Sequence, residues 1–336
     1  MNTALDFKQA KLGQACELPG IAYGLWLDDA AGCAYLGGAD FSVHSVDLRA
    51  EKPAAVKRWT HHESYVSSLV GREGQLISAG YDGRLIWTKI DSGEKLRQID
   101  AHAGWVRKLV LSTDGARLIS VGDDMRACMW DAATGQLVRA FEGHARQTPE
   151  GFATALYAVA ASQDGRFIAA ADRTGEVLIW EVDSGKVVAR FRAAAFYTYD
   201  AAKRARSIGG IRSLVFSPDG SRLILGGIGQ VTNVDGFVGP CRLEAWDWQA
   251  AKATWSAQDK HQAIFNHVQF MPGSTDTLLA VGGGDGGAIV AFWKLGEEAP
   301  LHKAKPKGHV QHAALTSDNR LLLAGFGGLQ IWVFGV

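Results

Sequence analysis

The chain has 336 residues, 47% of them apolar, enough to bury the core of one large all-β domain or of two average ones. Its 35 basic residues balance 35 acidic ones, which disfavours a globally basic nucleic-acid binder but leaves room for a local basic patch. No run approaches the roughly 18 apolar residues of a membrane helix. Four scattered cysteines without a CxxC pair, Cys16, Cys33, Cys128 and Cys241, suit a reducing compartment better than a disulfide framework.

The N-terminal stretch MNTALDFKQAKLGQ lacks the long apolar core of a signal peptide, so a cytoplasmic protein is expected. From there the chain repeats one phrase. VHSVDLRAEKPAAVKRW opens the series with Val46-Asp47 where later copies carry tryptophan. LIWTKIDSGEKLRQI follows with Trp87, CMWDAATGQLVRAF with Trp130 and LIWEVDSGKVVARF with Trp180. LEAWDWQAAKATW carries Trp246, VAFWKLGEEAPLH Trp293 and LQIWVFGV Trp332. Most of these units are spaced about 40–50 residues apart, the period of a four-stranded repeat. In the third unit VRKLVLS, RLISVG, RACMWD and QLVRAFEG predict four strands joined by tight turns. TDG, QDG and SPDG recur at residues 113–115, 163–165 and 217–220, where Asp-Gly supplies the positive φ such turns need. No stretch has the spacing and caps of a helix.

The repeated phrase resembles that of the WD-repeat β-propellers over essentially the whole chain. The resemblance implies a buried relay in each blade, in which a His before the first strand and a Ser on the second meet an Asp in the next turn and a Trp on the third. The third unit matches with His102, Ser120, Asp124 and Trp130. The second matches with His62, Ser78, Asp82 and Trp87, with one residue fewer before the Trp. The fourth keeps His144 and Trp180 but has Ala170 in the Ser position, so its relay is expected to be broken. Such a relay satisfies a buried indole N–H, and its His, Ser and Asp residues are therefore read as structural, not catalytic. The expected fold is all-β: a seven-bladed β-propeller of four-stranded antiparallel blades in one domain, 1–336. The last unit supplies only three strands. LDFKQAKLG resembles the fourth-strand phrase, so the N-terminal strand is expected to complete the last blade and remove two sheet edges.

Departures from the phrase fall at residues 145–154, 193–210, 227–241 and the GGGDGG of 282–287. Fourth-to-first and second-to-third connections of a propeller emerge on one face, so these segments should crowd one face over the third to sixth units. Long connections on a rigid scaffold are where binding usually resides. Candidate partner-binding residues are Arg146 and Phe152 in the first insert, and Phe196, Tyr197, Tyr199, Lys203, Arg204 and Arg206 in the second. Asp235 and Phe237 belong to the third, and Tyr65 and Trp105 follow the relay histidines. Aromatics with arginine are common interface anchors; the alternative is that the aromatics pack the loops onto the scaffold.

Other chemistry finds little support. GGGDGG lacks the strand-to-helix setting of a phosphate loop, and neither GxSxG nor HExxH occurs. His309 and His312 lie three apart in a predicted strand and should point to opposite faces, as should His61 and His62. The expected function is a non-catalytic protein–protein interaction scaffold, a subunit of a multi-protein assembly, with no cofactor, metal or catalytic residue and no membrane insertion. Two alternatives remain. One is a ligand-binding or enzymatic propeller using the central channel mouth. The other is nucleic-acid binding through the basic cluster of residues 203–206, a weaker expectation.

Overall fold

The computed structural model describes residues 6–201, 206–235 and 238–335, and its regular structure is β-strand apart from one 3₁₀ turn at Ala194–Phe196. Lys203, Arg204 and Phe237 lie outside the described residues. No helix among the described residues is long and apolar enough to cross a membrane.

The third sheet shows how sequence becomes blade. Val106–Leu111, Arg117–Gly122, Ala127–Asp131 and Leu137–Phe141 pair antiparallel in chain order. Its two middle strands are buried along nearly their whole length, while the outer strand is buried only at Phe141. The middle strands are hidden because neighbouring sheets cover both of their faces. Ile119, Val121 and Met129 pack with Leu156, Ile168 and Trp180 of the next sheet. Trp130, Leu109 and Leu118 pack with Ile77, Leu85 and Trp87 of the preceding one. The core is thus a series of apolar wedges between sheets, and each fully buried Leu, Ile or Val in a wedge contributes roughly 1.5–3 kcal/mol. At the first turns, Ser112, Ser162 and Ser217 donate to Asp114, Asp164 and Asp219 at 2.5–2.6 Å, and Gly115, Gly165 and Gly220 close them at φ of 70–71°.

Four-stranded antiparallel sheets occupy 66–100, 106–141, 156–192, 211–262 and 264–304. The remaining blade strands form one six-stranded sheet, in the order Val310–Leu315, Arg320–Gly335, Asp6–Asp28, Cys33–Gly38, Val43–Asp47, Ala55–Trp59. Seven separate blades were expected; among the described residues the blade strands form six hydrogen-bonded sheets, beside one two-stranded sheet. The reason is the length of Asp6–Asp28. Its first part pairs with the C-terminal strand, as in Leu12↔Trp332 and Cys16↔Leu329, and its last part with the following strand, as in Leu25↔Leu36. Gly20, at φ 75°, bends the chain between the two parts without a loop. The clasp of N- and C-terminal strands is present, and it runs further along the chain than LDFKQAKLG.

The innermost strands close a ring. Asp6–Asp28 touches Val66–Arg72, which touches Val106–Leu111, and contacts continue through Leu156–Ala161, Ile211–Phe216, Ile264–Phe270 and Val310–Leu315 back to Asp6–Asp28. Residues 193–210, expected as an irregular connection, instead fold into a two-stranded hairpin of Tyr197–Asp200 with Arg206–Gly209.

Candidate partner-binding face

The relay of the third sheet is complete. His102 Nδ1 lies 2.8 Å from Asp124, Nε2 lies 2.7 Å from Ser120 Oγ, and Trp130 Nε1 donates to the same Oγ at 2.9 Å. In the second sheet His62 contacts Asp82 at 2.9 Å and Ser78 at 2.8 Å, but Trp87 is not a member. Its indole N–H donates across the wedge to the Ala132 carbonyl at 2.8 Å. The missing residue is the cause. Ser120 pairs with Cys128, two before Trp130, whereas Ser78 pairs with Ile86, one before Trp87. A one-residue offset turns the side chain to the other face of the strand. In the fourth sheet His144 Nδ1 lies 3.1 Å from Asp172, while its buried Nε2 has no partner among the described residues, as Ala170 in place of serine implies. Burial alone would push the Asp82 and Asp124 carboxyls up. Hydrogen bonds and charge from His62 and His102, with backbone N–H groups, outweigh it and hold both below the usual aspartate value.

A second regularity was not read from the sequence. Every innermost strand carries a β-bulge at the same level, where the pairing register skips one residue. The skipped residues are Tyr23, Ser67, Arg107, Tyr157, Arg212, Asn266 and Gln311. A bulge re-aims a side chain, and these residues, with Tyr81 and Lys108, line a cavity of about 330 Å³ at the channel mouth. Beneath it, Lys108, Arg212, His267 and His312 line a second cavity of about 190 Å³. The His267 and His312 rings lie 4.0 Å apart. Burial, then the neighbouring Lys108 charge, pushes His267 down to about 4; burial, then His267 and Lys108, lowers His312 well below its ordinary value. Both are neutral imidazoles at pH 7. Enclosure by protein lowers the Lys108 ammonium to about 8, although its side chain is still partly open to the channel.

Around the mouth runs an aromatic belt. Tyr65 stacks on Tyr23 at 5.5 Å and lies 5.7 Å from Phe41, and Trp105 stacks on Tyr81 at 4.3 Å. Phe41, Tyr65 and Trp105 are 39%, 38% and 45% exposed, unusual for rings that also pack on one another. Phe41 has a φ of 68°, a left-handed conformation costly for a large side chain, held by a turn in which Gly38 donates to the Ser42 carbonyl. Arg107 lies over Trp105 at 4.5 Å and over Tyr157 at 5.1 Å, its guanidinium fixed by Asp123 at 2.6 and 3.0 Å. Arg212 covers Tyr157 at 4.4 Å and donates to the Gly209 carbonyl, joining the mouth to the second insert.

Three of the four departures meet. Tyr199 of the second insert packs on Phe152 of the first, 6.0 Å between rings, and Tyr197 donates to Glu150. Thr198 accepts from the Val231 N–H, and Arg206 pairs with Asp235 at 3.1 Å, which tie the second insert to the third. Phe152, Arg173, Arg206 and Val234 line a groove of about 420 Å³ between them. Arg146, Arg206, Asp235 and Tyr199 are exposed, and Phe152 is half-buried. Phe196 and Tyr197, expected at the surface, are instead buried; Phe196 belongs to the wedge with Ile211 and Leu225 and holds the insert down. GGGDGG extends an ordinary hairpin and bonds through the Gly286 N–H to Gln262 of the fifth sheet.

His144, Asp172 and Glu176 bring three donors within 4.8 Å of one another. The Nδ1–Asp172 contact is the one made by His62 and His102 in their relays, and Asp172 also accepts from the Thr174 and Glu176 N–H groups. The trio is accounted for as a relay.

Similarity to known proteins agrees with this geometry. The family model of the WD domain, G-beta repeat, matches residues 93–131 and 135–181, the third and fourth units. Protein TOPLESS of Arabidopsis thaliana is 28% identical over 231 residues, covering 66% of this chain and 18% of that protein. Apoptotic protease-activating factor 1 of Rattus norvegicus is 25% identical over 168 residues, 50% of this chain and 12% of that one. The Ribosome biogenesis protein WDR12 homolog of Chlamydomonas reinhardtii is 28% identical over 181 residues, 47% of this chain and 37% of that one. The chain therefore spans well under half the length of these relatives. Matched repeats at 93–131 and 135–181, WD-repeat relatives, and four-stranded sheets, two of them fastened by a His–Ser–Asp relay, together show a β-propeller that carries WD repeats.

Proposed function

We propose that this chain is a non-catalytic protein–protein interaction platform, a subunit of a multi-protein assembly, whose partner docks on the face that carries the aromatic belt and the three inserts. The observation that carries this reading is the exposed belt of Phe41, Tyr65 and Trp105, continuous through Arg107 and Arg212 with the second insert. Large exposed rings beside arginine are typical binding anchors. They stand on strands already ordered by the wedges, which lowers the ordering cost of association. The inserts add Arg146, Phe152, Tyr199, Arg206 and Asp235 to the same face.

The reading includes a count of seven radial units, with the six-stranded sheet taken as two. Seven innermost strands with one bulge each support that count. It also includes a cytoplasmic location, which the four unpaired thiols suit.

Co-purification at native expression with mass spectrometry supplies the partner. Calorimetric titration of that partner against Tyr65→Ala and Trp105→Ala then tests the face. Each substitution should weaken binding about tenfold or more with a melting temperature within about 2 °C of wild type, because neither ring is in a wedge and the stacking lost is worth about 0.5–1.5 kcal/mol. Full affinity in the double variant would show that the belt is not the docking surface.

A further inference from the structure

We propose that the channel mouth is a binding site for a small phosphate-bearing anion, held between Arg212 and Lys108. It adds to the docking function and does not depend on it.

Charge balance is the first reason. Three cations line the mouth cavity, Arg107, Lys108 and Arg212, and among the described residues no carboxylate lines it. Arg107 is matched by Asp123 outside the cavity. The Lys108 side chain makes no ion pair or hydrogen bond among the described residues. Arg212 gives Nη1 to the Gly209 and Ile211 carbonyls at 2.8 and 3.1 Å, which fixes its plane and leaves Nε and Nη2 without a partner among them. Two enclosed cations facing one cavity without a counter-charge are costly, and an anion placed between them removes the cost.

The second reason is construction. The cavity wall is built by a bulge repeated on every innermost strand, so the outward turn of Arg212 is part of the backbone design and not a stray rotamer. Tyr157 is clamped between Arg107 and Arg212, which holds both guanidinium planes.

Shape and donor type select the ligand. Tyr81, Tyr23 and Gln311 add hydroxyl and amide groups around the two cations. Donors arriving from several directions suit a tetrahedral dianion; a planar carboxylate would be matched by one guanidinium. A volume of about 330 Å³ leaves space beyond the phosphate for a small organic part against the Tyr23 and Tyr81 rings. It excludes a nucleic-acid strand.

Calorimetric and ³¹P NMR titrations of the full chain at pH 7 and fixed ionic strength test the site, with inorganic phosphate, glycerol phosphate and a phosphoserine peptide as probes. Saturable one-to-one binding of inorganic phosphate at about 1 mM or tighter is expected, at least tenfold weaker in Lys108→Met and in Arg212→Gln. Tighter binding of glycerol phosphate would assign the organic part to the cavity. Lys108→Met should melt no lower than wild type without phosphate, since it removes an unpaired charge; a large drop would mean that Lys108 is structural and would overturn the proposal. So would non-saturating binding in wild type, unchanged binding in both variants, or binding of the phosphopeptide alone.

Discussion

The relays offer a reciprocal pair of substitutions. Ser120→Ala removes the oxygen shared by His102 Nε2 and Trp130 Nε1, leaving two buried groups without partners in a sheet where Ser120 itself is fully buried. At about 1–3 kcal/mol for each buried group left unsatisfied, the loss is roughly 2–6 kcal/mol. Ala170→Ser does the opposite. Ala170 pairs with Leu178, two before Trp180, as Ser120 pairs with Cys128, two before Trp130. A hydroxyl there meets the unpartnered His144 Nε2, for a gain of about 1 kcal/mol. The Trp180 N–H needs no help, since it donates to the Glu142 carbonyl at 3.1 Å. With an unfolding entropy near 2.1 cal/mol/K per residue, a chain of 336 residues changes by roughly 0.7 kcal/mol per kelvin. Differential scanning calorimetry should therefore show Ser120→Ala melting about 3–9 °C lower and Ala170→Ser about 1–2 °C higher. Ser120→Ala within 1 °C of wild type, or Ala170→Ser falling by several degrees, would refute the view that relay completion governs blade stability.

Arg206→Ala should cost under about 1 kcal/mol, because its pair with Asp235 is exposed, yet limited proteolysis should cut the 197–209 hairpin faster once it is released from the third insert. Asp82 and Asp124 titrate lower in the folded chain than unfolded, so their stabilisation is full above the ordinary aspartate value of 3.8 and lost as pH falls through their lowered values. Asp124→Asn should accordingly destabilise at pH 7 and flatten the acid limb of a denaturation midpoint against pH. Lys108 is depressed from 10.5 to about 8 by enclosure. Its unfavourable buried charge is fully present below pH 8 and is relieved as pH rises from there toward 10.5. The stability advantage of Lys108→Met should therefore be largest at neutral pH and shrink above 8, measured as the difference between the two denaturation profiles; a constant difference would place the ammonium in open solvent.

Much of the fold was legible because strand repeats are local. Alternation, Asp-Gly turns and the His–Ser–Asp spacing of the third unit all act within one hydrogen-bonded sheet, and each appears there as written. The broken relay at Ala170 followed from the same local register. The clasp was legible because a three-stranded last unit needs a partner. Of the four departures expected to share a rim, three meet.

Tertiary structure decided what depends on distant strands. Trp87 faces the wedge and bonds to Ala132, because one missing residue reverses a side chain and only the neighbouring sheet supplies the acceptor. Phe196 disappears into a wedge that the loop sequence does not announce. Above all, Arg107, Arg212, His267 and His312 come from different sheets, and no short spacing links them. Seven bulges set on a closed ring of strands turn residues scattered from 23 to 311 into one cationic mouth. Local strand pattern specifies the blades; radial closure, which brings equivalent positions of successive blades face to face, assembles the cavity at the mouth.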